Sequence, residues 1–113
     1  MAEPLKPHVI FDDWLKIDLR IVTVVRAESV ENADKLIKFT VSDGCAEHTV
    51  CSAVKEWYEP ESFVGKQMVW LANLPSRNMR GVESNGMLLF ANDGEKYVPL
   101  SIAEKVPDGV EVE

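Results

Sequence analysis

Between Leu36 and Val54 the chain reads LIKFTVSDGCAEHTVCSAV, and its architecture turns on these residues. Ile37, Phe39 and Val41 alternate with Lys38, Thr40 and Ser42, so an extended strand here has one apolar and one polar face. The run ends on Asp43-Gly44, a pair that readily takes the backbone conformation of a tight turn. Residues 47–53, EHTVCSA, then resume in strand-forming residues. Two strands joined in this way are an antiparallel hairpin.

Working outward, Ile17 to Ala27 is dense in Val and Ile and is expected to be a long first strand. Before it, Phe11, Trp14 and Leu15 fall at helical spacing in FDDWLK, which predicts a short amphipathic helix over Phe11 to Lys16. The linking ENADKL is polar, with Asn32 and Asp34 suited to a turn or a single helical turn. After the hairpin, YEPESFVGK places Pro60 in a first helical turn and Gly65 at its stop. Gln67 to Leu74, closed by Pro75, is the fourth strand, and Gly86 to Asp93 is the fifth. EKYVPL and VEVE supply shorter strands near the C-terminus.

Five main strands with a short helix after the third specify an all-β fold with short helices. The pattern is that of a five-stranded OB-fold barrel with an N-terminal helix and C-terminal strand extensions. Periodicity does not set strand order, so an SH3-like barrel and an open meander stay open on the residues alone. Pro4 and Pro7 mark residues 1–10 as a flexible N-terminal tail, which leaves 11–113 as one domain.

At 113 residues, with 46% hydrophobic and 27% charged residues, the chain has the composition of an ordinary globular domain rather than a disordered one. No apolar run is long enough to span a membrane, and the N-terminus lacks a signal-peptide core. A cytoplasmic protein without a membrane partner is the expectation. Cys45, His48 and Cys51 fall close together, but His48 and Cys51 are three apart on a strand and should face opposite ways. A fourth ligand is missing too, so no metal and no cofactor are expected. His8 and His48 lack an acid–nucleophile arrangement and no phosphate-binding loop appears, so no catalytic residues are expected.

Charge is more informative. The chain carries a formal net charge of −7, yet residues 64–81 hold Lys66, Arg77 and Arg80 with no acid. Every other long segment is neutral or acidic. A local cationic patch of this kind can hold a polyanion that the net charge would repel.

The motifs F..WLKIDLRIVTV, ENADKLIKFTVSDG, PESFVGKQMVWLANL and RNMRGVESNGMLL, in this order, resemble the tRNA-binding domain family. That family includes the C-terminal appendix of methionyl-tRNA synthetases, free-standing dimeric tRNA-binding proteins, a cytokine-like domain of multi-synthetase complexes and a bacterial export chaperone. The resemblance implies the OB topology and tRNA as the ligand. It puts Asn73, Arg77, Arg80, Ser84 and Met87 at the RNA-binding positions, with Lys35 and Ser52 on adjacent elements. The apolar helix face of Phe11, Trp14 and Leu15 is expected to form a homodimer interface; the resemblance likewise implies a dimer through its terminal segments, and methionyl-tRNA synthetase as a partner. A protein-binding module, such as a synthetase assembly domain or an export chaperone, is the alternative. Two departures stand out: Pro75, Ser76 and Asn78 are neutral where the family commonly has lysine, and Ala53 replaces a usual glycine.

Plainer roles exist for the same residues. The arginines could be a solvated loop, Lys35 an ordinary surface lysine, Ser84 a turn former and Asn73 the cap of a strand end. Met87 alternates with Leu89 and could belong to the core. Trp57 and Tyr58, flanked by Glu56, Glu59 and Glu61, are expected to serve packing rather than RNA.

Overall fold

The computed structural model describes residues 3–113. The first two positions of the tail expected over 1–10 lie outside the described residues; residues 3–10 are exposed and carry no regular element. A single turn of helix, α1 (Phe11–Trp14), precedes a long strand β1 (Leu19–Val30). The hairpin follows as β2 (Ala33–Ser42) and β3 (Glu47–Ser52), paired antiparallel from Ile37↔Ser52 to Ser42↔Glu47. In its turn the Asp43 carboxylate accepts the Cys45 and Ala46 N–H groups at 2.8 and 2.7 Å. Gly44 supplies the left-handed backbone there, at φ 92°.

A 3-10 helix, Pro60–Phe63, carries Pro at its start and buries Phe63. Gly65, at φ 85°, ends it and donates to the Val24 carbonyl at 2.8 Å, which launches β4 (Gln67–Leu71) against β1. The remaining strands are β5 (Arg77–Met79), β6 (Val82–Ser84), β7 (Met87–Leu88), β8 (Phe90–Asn92) and β9 (Tyr97–Pro99). The main sheet has the order β3-β2-β1-β4-β7, antiparallel throughout. The outer strand β3 is tied to the end of β6 and the residue after it, where Asn85 N–H donates to the Thr49 carbonyl at 2.8 Å and Cys51 N–H to Ser84 Oγ at 2.9 Å. Single contacts of this kind, rather than a strand ladder, join β3 to that segment among the described residues.

Val22, Val24, Ile37, Phe39, Val41, Val50, Met68 and Leu88 form the core inside this curled sheet. Phe63 closes it edge-on against Phe39, with ring centroids 4.9 Å apart. Trp57 and Tyr58 pack around that core, as their acidic neighbours suggested. Burial of this many aliphatic side chains, at about 25 cal/mol per Å², is what holds so small a sheet together.

Four expectations need correction. The polar ENADKL segment turns only at Glu31-Asn32, with Asn32 at φ 61°; Asp34 and Lys35 already belong to β2. The fourth strand stops at Leu71, not Leu74. The fifth strand is split at Leu89, whose N–H goes to the Val69 carbonyl before the chain leaves to pair β8 with β9. VEVE makes one isolated bridge, Arg20↔Glu111, rather than a strand. The C-terminal segment is nevertheless strapped to its own chain: Gln67 Nε2 donates to the Val106 carbonyl at 2.7 Å, and Thr23 Oγ1 bonds Asp108 at 2.6 Å.

Candidate nucleic-acid interface

The stretch after β4 reads as a loop but folds as a hairpin. Met79 pairs with Val82, and the two residues between them, Arg80 and Gly81, sit at φ 55° and 88°. Both central residues left-handed make a turn whose twist matches its strands. Asn78 Oδ1 accepts the Gly81 N–H at 3.0 Å and steadies the turn. The hairpin is held down by its apolar residues: Met79 and Val82 pack on a second small core of Val30, Ala33 and Leu36 at the β1–β2 tip.

This packing brings cations from two distant segments together. Arg77 and Arg80 on the hairpin and Lys35 on β2 line one groove of ≈ 500 Å³, with Asn32, Asn78 and the single carboxylate Asp34. None of the three cations forms an ion pair among the described residues, whereas Lys16, Arg20, Arg26 and Lys38 all do. Arg20 is fully engaged: it bonds Asp18 at 2.6 Å, the Gly109 carbonyl at 3.0 Å and Glu111 at 3.4 Å. The Asp18 hydrogen bond raises its pKa first of all. Free guanidinium groups that share a groove suit the oxygens of a phosphate.

Beside the groove lies an apolar cleft of ≈ 440 Å³ between the end of β3, the segment after β4, and β6–β8. Its floor includes Cys51 and Leu88, both buried. Burial also raises the Cys51 thiol above its ordinary value, which keeps it neutral. Met87, Leu74 and Tyr97 stand exposed around the mouth. Arg77 and Met79 line both hollows.

The structure separates the site residues named from sequence. Arg77, Arg80 and Lys35 meet in the groove, while Ser52, Ser84 and Met87 line the cleft. Ser84 is buried at 2% exposure, and its hydroxyl accepts the Cys51 N–H rather than shaping a surface turn. Met87 points outward, and its neighbour Leu88, not Leu89, is the buried core residue. Asn73 lines neither hollow: Oδ1 accepts the Asp18 N–H at 2.9 Å and Nδ2 donates to the Lys16 carbonyl at 2.6 Å. It thereby ties the α1–β1 link to the end of β4. Tyr97 and Leu74 were missed, because nothing local in EKYVPL or ANLP marks a cleft rim.

The cleft wall is rigidly placed. Gly86 sits at φ 69°, and a side chain there would collide with the Leu71 carbonyl and stand 2.7 Å from Trp70 Nε1. Trp70 Nε1 donates to the Asn85 carbonyl at 2.9 Å, and its ring stacks on His48 at 4.5 Å. His48 in turn bonds Asp43 at 2.8 Å and is therefore engaged in structure. No group of three or more potential metal ligands forms among the described residues. Phe11, Trp14 and Leu15, named from sequence for an interface, are exposed.

Comparison with known proteins follows the same lines. Residues 19–111 match the family model described as "Putative tRNA binding domain". The chain is 43% identical over 108 residues to methionine–tRNA ligase of Porphyromonas gingivalis, covering 94% of this chain and 16% of that one. It is 48% identical over 102 residues to the Deinococcus radiodurans methionine–tRNA ligase, covering 89% of this chain and 15% of the ligase. The chain thus spans 15–16% of the length of these curated relatives. A MetRS-related protein from Pyrococcus horikoshii superimposes with a TM-score of 0.90 at 30% identity, over 96% of this chain and 100% of that one. The chaperone CsaA from Bacillus anthracis does so with a TM-score of 0.86 at 26% identity, over 95% and 100%. On the match across residues 19–111 and the full-length superposition, the chain belongs to the tRNA-binding domain family.

Proposed function

We propose that this chain binds tRNA and performs no chemistry of its own, acting beside or as an appended part of a methionyl-tRNA synthetase in the cytoplasm. One observation carries the reading: in a chain of net charge −7, three cations that form no ion pair among the described residues converge in one groove on a family tRNA-binding scaffold. The groove grips the phosphate backbone, and the shape of folded tRNA decides which phosphates reach it. With so few cations a single copy binds weakly. A homodimer built through Phe11, Trp14 and Leu15 doubles the patch and raises effective concentration. The exposure of those three side chains favours this arrangement.

Electrophoretic mobility shift with total tRNA, ribosomal RNA fragments and single-stranded DNA tests the function. tRNA should shift at the lowest protein concentration; equal retardation of all three would contradict it. A second reading, a module that binds protein, draws on the likeness to a chaperone and on the exposed apolar N-terminal segment. Binding of unfolded polypeptide with no tRNA shift would favour that reading.

A further inference from the structure

We propose that the apolar cleft holds one unpaired base of the bound RNA, while the adjoining groove holds the phosphate next to it. This deepens the tRNA reading and rests on it: the recognised feature becomes a splayed loop nucleotide rather than a helical stem.

Three observations lead there. The cleft and the groove adjoin, with Arg77 and Met79 in the lining of both. Their contents are opposite in kind. The cleft, at ≈ 440 Å³, presents Leu74, Met87 and Tyr97 at its mouth, and pockets of this size take small planar ligands. The groove presents Lys35, Arg77 and Arg80 against one carboxylate, Asp34. A nucleotide carries an apolar flat base and an anion a few ångströms apart, and only an unpaired one has its base faces free to enter. A base in a duplex stays stacked on its neighbours and could offer the groove its phosphate alone. An extended peptide lacks a fixed anion at every residue and would leave the groove unfilled.

The third observation lies on the cleft wall. Ser84 is 2% exposed and lines the cleft; its oxygen accepts the Cys51 N–H, while its own proton has no acceptor among the described residues. A hydroxyl in this position can donate to a ring nitrogen or carbonyl on a base edge. The thioether of Met87 offers a polarizable surface on which any base can lie. Gly86 holds this wall in register, because only glycine tolerates its approach to Leu71 and Trp70.

The test uses the 113-residue chain and four labelled RNAs: total tRNA, a stem closed by an unpaired loop, the same hairpin with abasic loop positions, and a blunt duplex of equal charge. The intact-loop hairpin should bind about tenfold more tightly than either the abasic hairpin or the duplex, the scale of one stacked base. Met87→Ala, at an exposed position, should shrink the preference for the intact over the abasic loop to about threefold. Equal affinity for intact and abasic loops, with tRNA still bound, overturns the base site and leaves the tRNA reading standing. No binding of tRNA itself overturns both. An extended apolar peptide that displaces the loop hairpin, and is itself held more tightly, also overturns the proposal.

Discussion

Arg80 is the residue at which stability and function should pull apart. It is a non-glycine residue at φ 55°, one of the two positions of the β5–β6 turn. An ordinary L-residue in the left-handed region costs about 1–2 kcal/mol, whereas Asn visits it with much less penalty. Arg80 is exposed and makes no ion pair among the described residues, so its removal forfeits no charge contact there. Arg80→Asn should therefore stabilise the fold by about 0.5–1 kcal/mol, which for a domain of this size raises Tm by about 2–4 °C. The same substitution removes a phosphate contact and should weaken tRNA binding by about 1–2 kcal/mol, or about 5- to 30-fold. Arg80→Ala is the control: it keeps a Cβ at positive φ, so affinity should fall equally while Tm does not rise. Thermal unfolding followed by circular dichroism, with a tRNA titration on the same samples, reads both effects. An Arg80→Asn variant that melts no higher than Arg80→Ala refutes the strain. One that binds tRNA as the parent does refutes the role of the arginine.

Gly86→Ala should cost about 3 kcal/mol or more, since left-handed strain adds to collision with the Leu71 carbonyl, while Gly81→Ala, with open space around it, should cost about 1 kcal/mol. Equal midpoints in urea for the two variants would show that the cleft wall is not held by Trp70 and Leu71. Asp43 is held down to about 2, first by its hydrogen bond from His48 and then by the Ala46 and Cys45 N–H groups. Its folded pKa lies below its ordinary 3.8, so its contribution is whole above that pH and is lost as pH falls through about 2. Asp43→Asn should accordingly show a shallower loss of stability than the parent in that acid window, and superimposable acid limbs would contradict the assignment. Light scattering at micromolar concentration should give a dimer mass that Trp14→Asp reduces to a monomer; a monomeric parent would remove the terminal helix from any interface.

The hairpin at Leu36–Val54 was legible because local alternation and burial agree: Ile37, Phe39 and Val41 are all fully buried. The inward face of β1 was harder. Val22 and Val24 point into the core, then a register shift between Val24 and Arg26 reverses the parity, so that Ala27 rather than Arg26 faces inward. A bulge of this kind depends on the partner strand and leaves no mark in a window of sequence. The Arg77–Ser84 hairpin was hidden for a related reason. Its turn residues are Arg-Gly rather than Asn-Gly, and its apolar anchors meet Val30, Ala33 and Leu36 only through the long-range fold. The cationic half of the proposed site follows from charge alone, since Arg77 and Arg80 stand in a stretch without acid. That Lys35 would join them could be inferred only from the family motif, and the cleft around Tyr97 depends on the split of the fifth strand at Leu89.

The salt dependence of tRNA binding, measured side by side for the parent and for Arg77→Ala/Arg80→Ala, bears most directly on the claim that this groove holds the RNA backbone. In the parent, each copy that sets its three cations on phosphates adds about −2 to −3 to the slope of log K against log salt. Removing two should flatten each copy's share by about 1.5 and weaken binding at low salt by about 100-fold, with the fold intact. Parallel lines of equal height for the two proteins would contradict it: tRNA would then be held by some other surface of the domain.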